Sequence, residues 1–389
     1  MADVRDGLGP YLGVFLQQQN WSPGKIGIVM TIGGLAGMIA TAPLGALVDR
    51  LRAKRFMMAV AALATVGASL VILFVPTVPA TAVAQAAMGV AGAAIPPAIA
   101  GITLGLVRQK GFTHQMGRNE AFNHAGNVTA ALLCGVLGYI FGLSAVFAVM
   151  SALAVMSLLA LAYIDPKEID YDAARGASEK PGDKIQGFSV LIQNKPLIVL
   201  AMTLLLFHLG NGAMLPLLGQ SLVAKGADAS AYTSATIIVA QLTMIPMALL
   251  AAWLAAKRGY WLVIVLALVA LPVRGAIAAL VTGPSGLVPV QILDGVGAGL
   301  LGVAVPGLVA RIMAGTGRVN AALGAVMTMQ GIGAALSTTL GGTVAEEFGY
   351  SMSFVALGGV ALVALSLWWL ATPMMSKACV SSLPLPRPT

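Results

Sequence analysis

Charged side chains are scarce in this chain. Asp, Glu, Lys and Arg make up 9% of its 389 residues, against about 25% in a soluble domain. Hydrophobic residues make up 58%, and the mean hydropathy is +0.91. So few charges could not cover the surface of a soluble protein, so we expect the lipid bilayer to be the solvent for most of the chain.

Cysteine and catalytic motifs are also scarce. Cys134 and Cys379 are the two cysteines, and they lie far apart, which argues against a disulfide framework. The sequence contains no nucleophile elbow, H-E-x-x-H motif, P-loop or Cys/His cluster. We therefore predict that the chain is not an enzyme and needs no cofactor and no metal. The N-terminus lacks the pattern of a cleaved signal peptide.

The basic residues indicate topology. The net charge is +8, but the basic residues lie in short loops between apolar runs, which favours a topology signal over a nucleic-acid partner. With loop 47–56 in the cytoplasm, Lys25 and Lys225 lie outside, Arg5 and Arg274 lie within apolar segments, and the other 18 of the 22 Lys and Arg are cytoplasmic. This predicts a multi-pass protein of the cytoplasmic (inner) membrane with both termini in the cytoplasm.

Eleven apolar runs are long enough to span a bilayer as helices, which takes about 20 residues each. A twelfth segment, 1–18, is short. We predict an all-α membrane protein with a six-helix bundle over 1–164, a cytoplasmic linker over 165–195, a second six-helix bundle over 196–372 and a cytoplasmic tail over 373–389. The runs are 24–47, 56–76, 80–107, 119–141, 144–164, 196–222, 231–256, 260–282, 286–312, 319–342 and 349–371.

The two halves resemble each other at a shift of about 200 residues. "QAAMGVAGAAIPPAIA" at 85–100 aligns with "QILDGVGAGLLGVAVPGLVA" at 291–310, which pairs Gln85 with Gln291 and Gly89 with Gly295. A chance match between Gly- and Ala-rich helices is the alternative. Six helices, a polar linker and six related helices are typical of the parallel repeats of secondary transporters.

The internal repeat also indicates how the charged N-terminal segment is related to the second half of the chain. "FHLGNGAMLPLLGQ" at 207–220 aligns with "ADVRDGLGPYLGVF" at 2–15, which places His208 over Asp3 and Asn211 over Asp6. His208 lies near the middle of its span, so we expect the first helix to be truncated, with about ten residues missing at its start. An ordinary charged N-terminus on a short helix is the alternative.

The stretch "GALVDRLRAKR" at 45–55 resembles the loop motif between helices two and three of the major facilitator superfamily. The resemblance implies that fold, with two bundles related by a pseudo-two-fold axis, and a monomer that moves a small molecule. It also implies a cytoplasmic gating cluster, for which simple anchoring of the loop by its positive charges is the alternative. We expect Glu120, at the start of helix five, to pair with a basic residue of this cluster. Gln85 replaces a common Arg of helix four, and 135–142 lacks the proline of the antiporter signature. The cluster comprises Gly45, Asp49, Arg50, Lys54, Arg55 and Glu120.

Two opposite charges lie inside predicted spans nine and ten. Arg274 lies eight residues before the end of one span and Asp294 eight residues after the start of the next, each about 12 Å from the outer boundary. Intramembrane ionisable groups are costly and indicate function. We predict an Arg274–Asp294 ion pair facing the central cavity, with Asp294 as proton carrier; a purely structural pair is the alternative.

Further polar residues could line the same cavity. Asp3, Asp6, His208, Asn211 and Gln291 lie on or beside spans one, seven and ten, and Asp6 is the second candidate for protonation. His208 has a structural alternative as a satisfied hydrogen-bonding group. For Gln241, Gln291 and Gln330, interhelical hydrogen bonding is the favoured role.

The sequence thus predicts a secondary active transporter that moves a small organic solute by alternating access, coupled to protons, with export favoured. Proton-coupled uptake of a sugar- or nucleoside-like solute is the first alternative. A membrane receptor or assembly subunit that does not transport is the second.

Overall fold

The computed structural model describes residues 8–50, 53–170, 189–281, 283–313 and 319–379. Within these ranges the chain is helical and contains no strand. Ten helices are long and apolar enough to span a membrane, and Ala125–Phe141 is a shorter apolar segment. The α-helices are α1 Gly9–Gln18, α2 Pro23–Arg50, α3 Lys54–Phe74, α4 Val78–Phe141, α5 Ser144–Ala162, α6 Ser189–Gln193, α7 Lys195–Asn211, α8 Met214–Val223, α9 Ala229–Arg258, α10 Tyr260–Leu280, α11 Leu287–Ile312, α12 Val319–Phe348, α13 Tyr350–Leu370 and α14 Thr372–Met375.

The chain divides into two compact units. One comprises residues 1–181 with 222–235, and the other comprises 182–221 with 236–389. Segment 222–235, which lies in sequence within the predicted second bundle, packs with the first unit. There the Ser234 hydroxyl lies 2.8 Å from the Tyr11 hydroxyl, and Ser230 packs against Gly138 of α4.

The helix boundaries differ from the predicted segments in three places. The separate spans 80–107 and 119–141 are joined by helical backbone within α4, because the connecting residues 108–118 are polar yet include no proline. The predicted span 196–222 is confirmed as the membrane-length segment Lys195–Val223, which contains a local turn at Gly212–Ala213, between α7 and α8. The linker 165–195 is partly folded: Pro166–Glu168 form a 3₁₀ helix, and Ile169 is buried in the first unit's core.

The repeat appears in helix packing within each unit. In the first unit, Gly89 of α4 contacts the backbone of Gly33 and Gly37 on α2. In the second, a Cβ on Gly295 of α11 would lie 2.7 Å from the Ala240 carbonyl oxygen on α9. The two glycines aligned by sequence therefore occupy equivalent helix–helix contacts, where the absence of a side chain lets the backbones approach.

The close contact at Gly89 predicts the effect of adding a methyl group at that position. Gly89→Ala should destabilise the protein by about 1–3 kcal/mol, because the new Cβ overlaps the Gly33 backbone and the helices must separate. Thermal unfolding in detergent measures the change. Gly67→Ala is the matched control, since a Cβ there meets nothing within 4 Å; equal effects of the two substitutions would contradict the packing.

The end of the described chain caps the helix that carries Arg274. The backbone N–H of Tyr260, the first residue of α10, donates to the Cys379 carbonyl at 3.1 Å. The Trp261 indole Nε1 donates to the Thr372 hydroxyl at 3.1 Å. The Arg311 guanidinium lies 4.7 Å from the centre of the Tyr260 ring. Residues 372–379 therefore fix the start of α10.

The reactivity of the Cys379 thiol shows whether residues 372–379 pack against the start of α10. Burial raises the pKa of Cys379 to about 11, although the nearby Arg311 charge opposes the shift. The folded site favours the protonated thiol of Cys379. The contribution of this thiol to the free energy of unfolding is therefore complete below pH 9.0 and is lost as the pH rises through about 11.

We predict that Cys379 reacts slowly with maleimide. In a Cys134→Ser background, the folded protein at about pH 8 should label roughly 100-fold more slowly than the protein unfolded in SDS, because the thiolate is the nucleophile and less of it is present. The rate should rise about tenfold per pH unit towards 11. Equal rates in the folded and unfolded protein would show that the segment is not docked.

Candidate functional site

The predicted Arg274–Asp294 ion pair is present in the second unit. Arg274 Nη1 lies 2.7 Å from Asp294 Oδ1. Arg274 is six residues before the end of α10 and Asp294 is seven residues after the start of α11, so the two side chains lie at similar distances, about 9–10 Å, from the adjoining helix ends. The connection between the helices, residues 281–286, includes the 3₁₀ turn Pro284–Gly286.

The two charges differ in exposure. The Arg274 side chain is 1% exposed, whereas that of Asp294 is 13% exposed. Two guanidinium atoms, Nε and Nη2, are buried with no hydrogen-bonding partner among the described residues. The carboxylate is therefore the more exposed member of the pair.

Asn211 is the second partner of the guanidinium. Arg274 Nη1 donates to Asn211 Oδ1 at 2.6 Å. Asn211 is the last residue of α7, directly before the interruption of the helix. The carboxylate and the amide oxygen thus share one nitrogen of a buried cation.

The interruption between α7 and α8 is held by a side chain. The Ala213 backbone N–H donates to the Ser337 hydroxyl of α12 at 2.8 Å. Gly212 packs against Ala334 of the same helix, and a Cβ at 212 would lie 2.6 Å from the Ala334 carbonyl oxygen. Gly212 keeps a helical backbone conformation, and its N–H donates to the His208 carbonyl at 2.8 Å, so the interruption is a local turn within the span.

A cavity of about 310 Å³ lies beside this interruption, wholly within the second unit. His208, Asn211 and Gln330 are its polar lining residues. Its apolar lining comprises Phe207, Ala298, Leu301, Gly302, Val305, Pro306, Leu323 and Met327. Gln330, for which we favoured an interhelical hydrogen bond, faces this cavity; a polar residue inside an apolar span was the only signal, and it does not distinguish the two roles.

His208 lies one helical turn before Asn211. Its Nδ1 is 2.9 Å from the Leu204 carbonyl oxygen. His208 lines the cavity, whereas Arg274 and Asp294 do not.

Gln291 is brought near the pair but makes no polar contact in the described residues. It lies one turn before Asp294 on α11, it is fully buried, and both amide atoms lack a hydrogen-bonding partner there. The favoured role of Gln291 in interhelical hydrogen bonding is therefore absent from this conformation.

Lys54 and Arg55 are the cations of the predicted gating cluster whose side chains the structure describes. Lys54 Nζ donates to the Val48 carbonyl near the end of α2, and Arg55 donates to the carbonyls of Leu161 and Ala162 at 3.1 Å each. Both cations therefore cap helix C-termini, where they complement the helix dipole.

The remaining predicted site residues are less defined. Gly45 makes no close helix contact, because a Cβ there would meet nothing within 4 Å. Asp3 and Asp6 lie outside the described residues, as do the side chains of Asp49, Arg50 and Glu120.

Membrane-length helices around a buried ion pair and a small, partly polar cavity define a multi-pass membrane transporter. A sequence profile of the Major Facilitator Superfamily matches residues 4–321. The chain belongs to this superfamily, and its fold is the superfamily fold.

Relatives and solved structures agree with this assignment. The chain is 40% identical over 378 residues, 96% of this chain and 90% of the relative, to the uncharacterized MFS-type transporter Rv2456c of Mycobacterium tuberculosis. The nucleoside transporter NupG has a similar fold, with a TM-score of 0.72 at 19% identity, covering 94% of this chain and 93% of that one. A bacterial homolog of the human lysosomal transporter Spinster, inward-facing and unoccupied, gives a TM-score of 0.77 at 14% identity, covering 98% of this chain and 96% of that one.

Proposed function

We propose that this protein exports a small organic solute across the cytoplasmic membrane by alternating access, driven by protons that bind Asp294. The observation that carries the proposal is the ion pair between a fully buried Arg274 and a partly exposed Asp294. An intramembrane pair of this kind is a functional hypothesis by default, because burying two charges in lipid is costly.

The chemistry of the pair supports a two-state cycle. With Asp294 ionised, its attraction to Arg274 holds α10 against α11. A proton on Asp294 removes that attraction, while Asn211 Oδ1 still accepts from Arg274 Nη1 and stabilises the unpaired cation. Among the described residues, Arg274 is the titratable group in contact with this carboxylate.

The oligomeric state, the topology and the gating residues in this proposal follow from the sequence. In this proposal the protein is a monomer with cytoplasmic termini and two six-helix bundles, 1–164 and 196–372. Asp6 is a second protonation site beside Asp3, and the loop cluster Gly45–Arg55 gates the cytoplasmic side with Glu120.

Export is supported by the lining of the cavity, most of which is apolar. Proton-coupled uptake of a nucleoside-like solute is the second candidate, favoured by the three polar lining residues and by the fold shared with a nucleoside transporter.

Reconstitution into liposomes tests the proposal. Vesicles that contain a pH-sensitive dye are given outward or inward gradients of a panel of neutral and charged solutes. We expect one solute class to move protons, in the opposite direction to the solute for export and in the same direction for uptake. Solute movement without any pH change, or binding without movement, would contradict proton-coupled transport.

A further inference from the structure

The polar groups that line the cavity have free hydrogen-bonding atoms of known type. A backbone carbonyl can only accept, so the Nδ1 atom of His208 that contacts the Leu204 carbonyl must carry the proton. In the neutral ring, Nε2 is then an acceptor on the edge turned away from the helix backbone. No described residue bonds this atom.

Asn211 offers the complementary group. Its Oδ1 is taken by the Arg274 guanidinium, which can only donate. The Nδ2 amide therefore remains as a donor without a partner among the described residues. Because residues three apart on a helix lie side by side, with Cβ atoms about 5–6 Å apart, the acceptor of His208 and the donor of Asn211 form one polar edge.

The rest of the lining restricts size and charge. A volume of about 310 Å³ is at the lower end of the range of ligand pockets, about 300–1,000 Å³. Asp294 does not line the cavity, and Arg274 is 1% exposed and already paired, so no fixed charge is offered to a ligand by the described lining. A charged solute would lose its hydration without compensation.

We propose that this cavity binds a small uncharged solute with an apolar body and one lactam-type edge, whose N–H donates to His208 Nε2 and whose adjacent carbonyl accepts from Asn211 Nδ2. This substrate class rests on the proposed transport function. Gln330, whose amide both donates and accepts, is available to a third polar group.

Calorimetric titration of the full-length protein in detergent at about pH 8, where imidazole is normally neutral, tests the proposal. The probe is 2-quinolone, a neutral bicyclic lactam. N-methyl-2-quinolone removes the donor, quinoline removes both the donor and the carbonyl, and quinoline-2-carboxylate adds a charge. We expect 2-quinolone to bind, the N-methyl derivative to bind roughly tenfold more weakly and quinoline roughly 100-fold more weakly, and the carboxylate not to bind. Absence of 2-quinolone binding, or tighter binding of the carboxylate, would overturn the proposal.

Substitutions at the cavity lining test which residues contact 2-quinolone. In His208→Phe, the preference for 2-quinolone over its N-methyl derivative should disappear, whereas a retained preference would place the donor contact elsewhere. Gly302→Leu should fill the cavity and abolish binding, because a Cβ there points into open space. Gly359→Leu is the matched control: it is an equally open helix position on α13 that does not line the cavity. Unchanged binding by Gly302→Leu would contradict the site.

The two proposals can fail separately. The titration needs no proton gradient, so lactam binding without proton movement in vesicles would contradict the transport mechanism and support this site. Proton-coupled movement of a charged solute, with no binding of 2-quinolone, would do the reverse.

Discussion

Asp294→Asn is expected to abolish proton-driven transport while leaving exchange of solute across the membrane. The amide keeps the shape of the side chain and its oxygen can still accept from Arg274, but it cannot bind and release a proton at physiological pH. We expect solute accumulation driven by a pH gradient to fall at least 100-fold, with exchange of labelled for unlabelled solute reduced less than tenfold.

Asp228→Asn is the matched control for this substitution. The Asp228 carboxylate accepts from the Ala231 N–H at the start of α9 at 2.8 Å, and asparagine caps a helix about equally well. Proton-driven accumulation should therefore be unchanged. If Asp294→Asn accumulates solute as the wild type does, Asp294 is not the proton carrier.

Arg274→Met is expected to be strongly destabilising. It leaves Asp294 without its cation, and breaking a buried pair by removal of one partner costs about 3–5 kcal/mol. The double variant Arg274→Met with Asp294→Leu removes both charges and should recover most of that loss, because replacement of a whole buried pair by apolar groups is often neutral. Thermal unfolding in detergent measures both.

Arg258→Met controls for the loss of an arginine as such. Arg258 is exposed at the end of α9, so its removal should change stability by less than about 0.5 kcal/mol. A double variant as unstable as Arg274→Met alone would mean that the pair is not the source of the effect.

The sequence was sufficient to predict the ion pair because depth along a membrane helix follows from residue count. Arg274 and Asp294 lie at similar distances from one short connection, so their contact needed no knowledge of the rest of the fold. The alignment of Gly89 with Gly295 was equally informative, because a glycine at a close helix contact has a steric reason to recur in both halves.

The interruption at Gly212–Ala213 could not be predicted in the same way. Hydropathy is continuous across it, and glycine is common in this chain, with 46 residues. What holds the interruption is the Ser337 hydroxyl, which lies 124 residues away in sequence. The cavity has a similar origin: His208 and Gln330 come together through the packing of α7 and α12, which residue spacing within one helix does not report.

The merging of spans four and five has a local cause. Polar residues usually mark the end of a membrane segment, which is why residues 108–118 were assigned to a loop. Polarity ends the apolar segment but not the helix, because backbone hydrogen bonds continue where no proline or capping residue stops them.

The most direct test of Asp294 as the proton carrier is the infrared spectrum of its carboxyl group. Spectra of the reconstituted wild type and of Asp294→Asn, recorded across the pH range in which transport is active, are subtracted. We predict a protonated-carboxyl band that grows as the pH falls in the wild type and is missing from the variant. A difference spectrum with no titrating carboxyl band at any of these pH values would contradict proton coupling through Asp294.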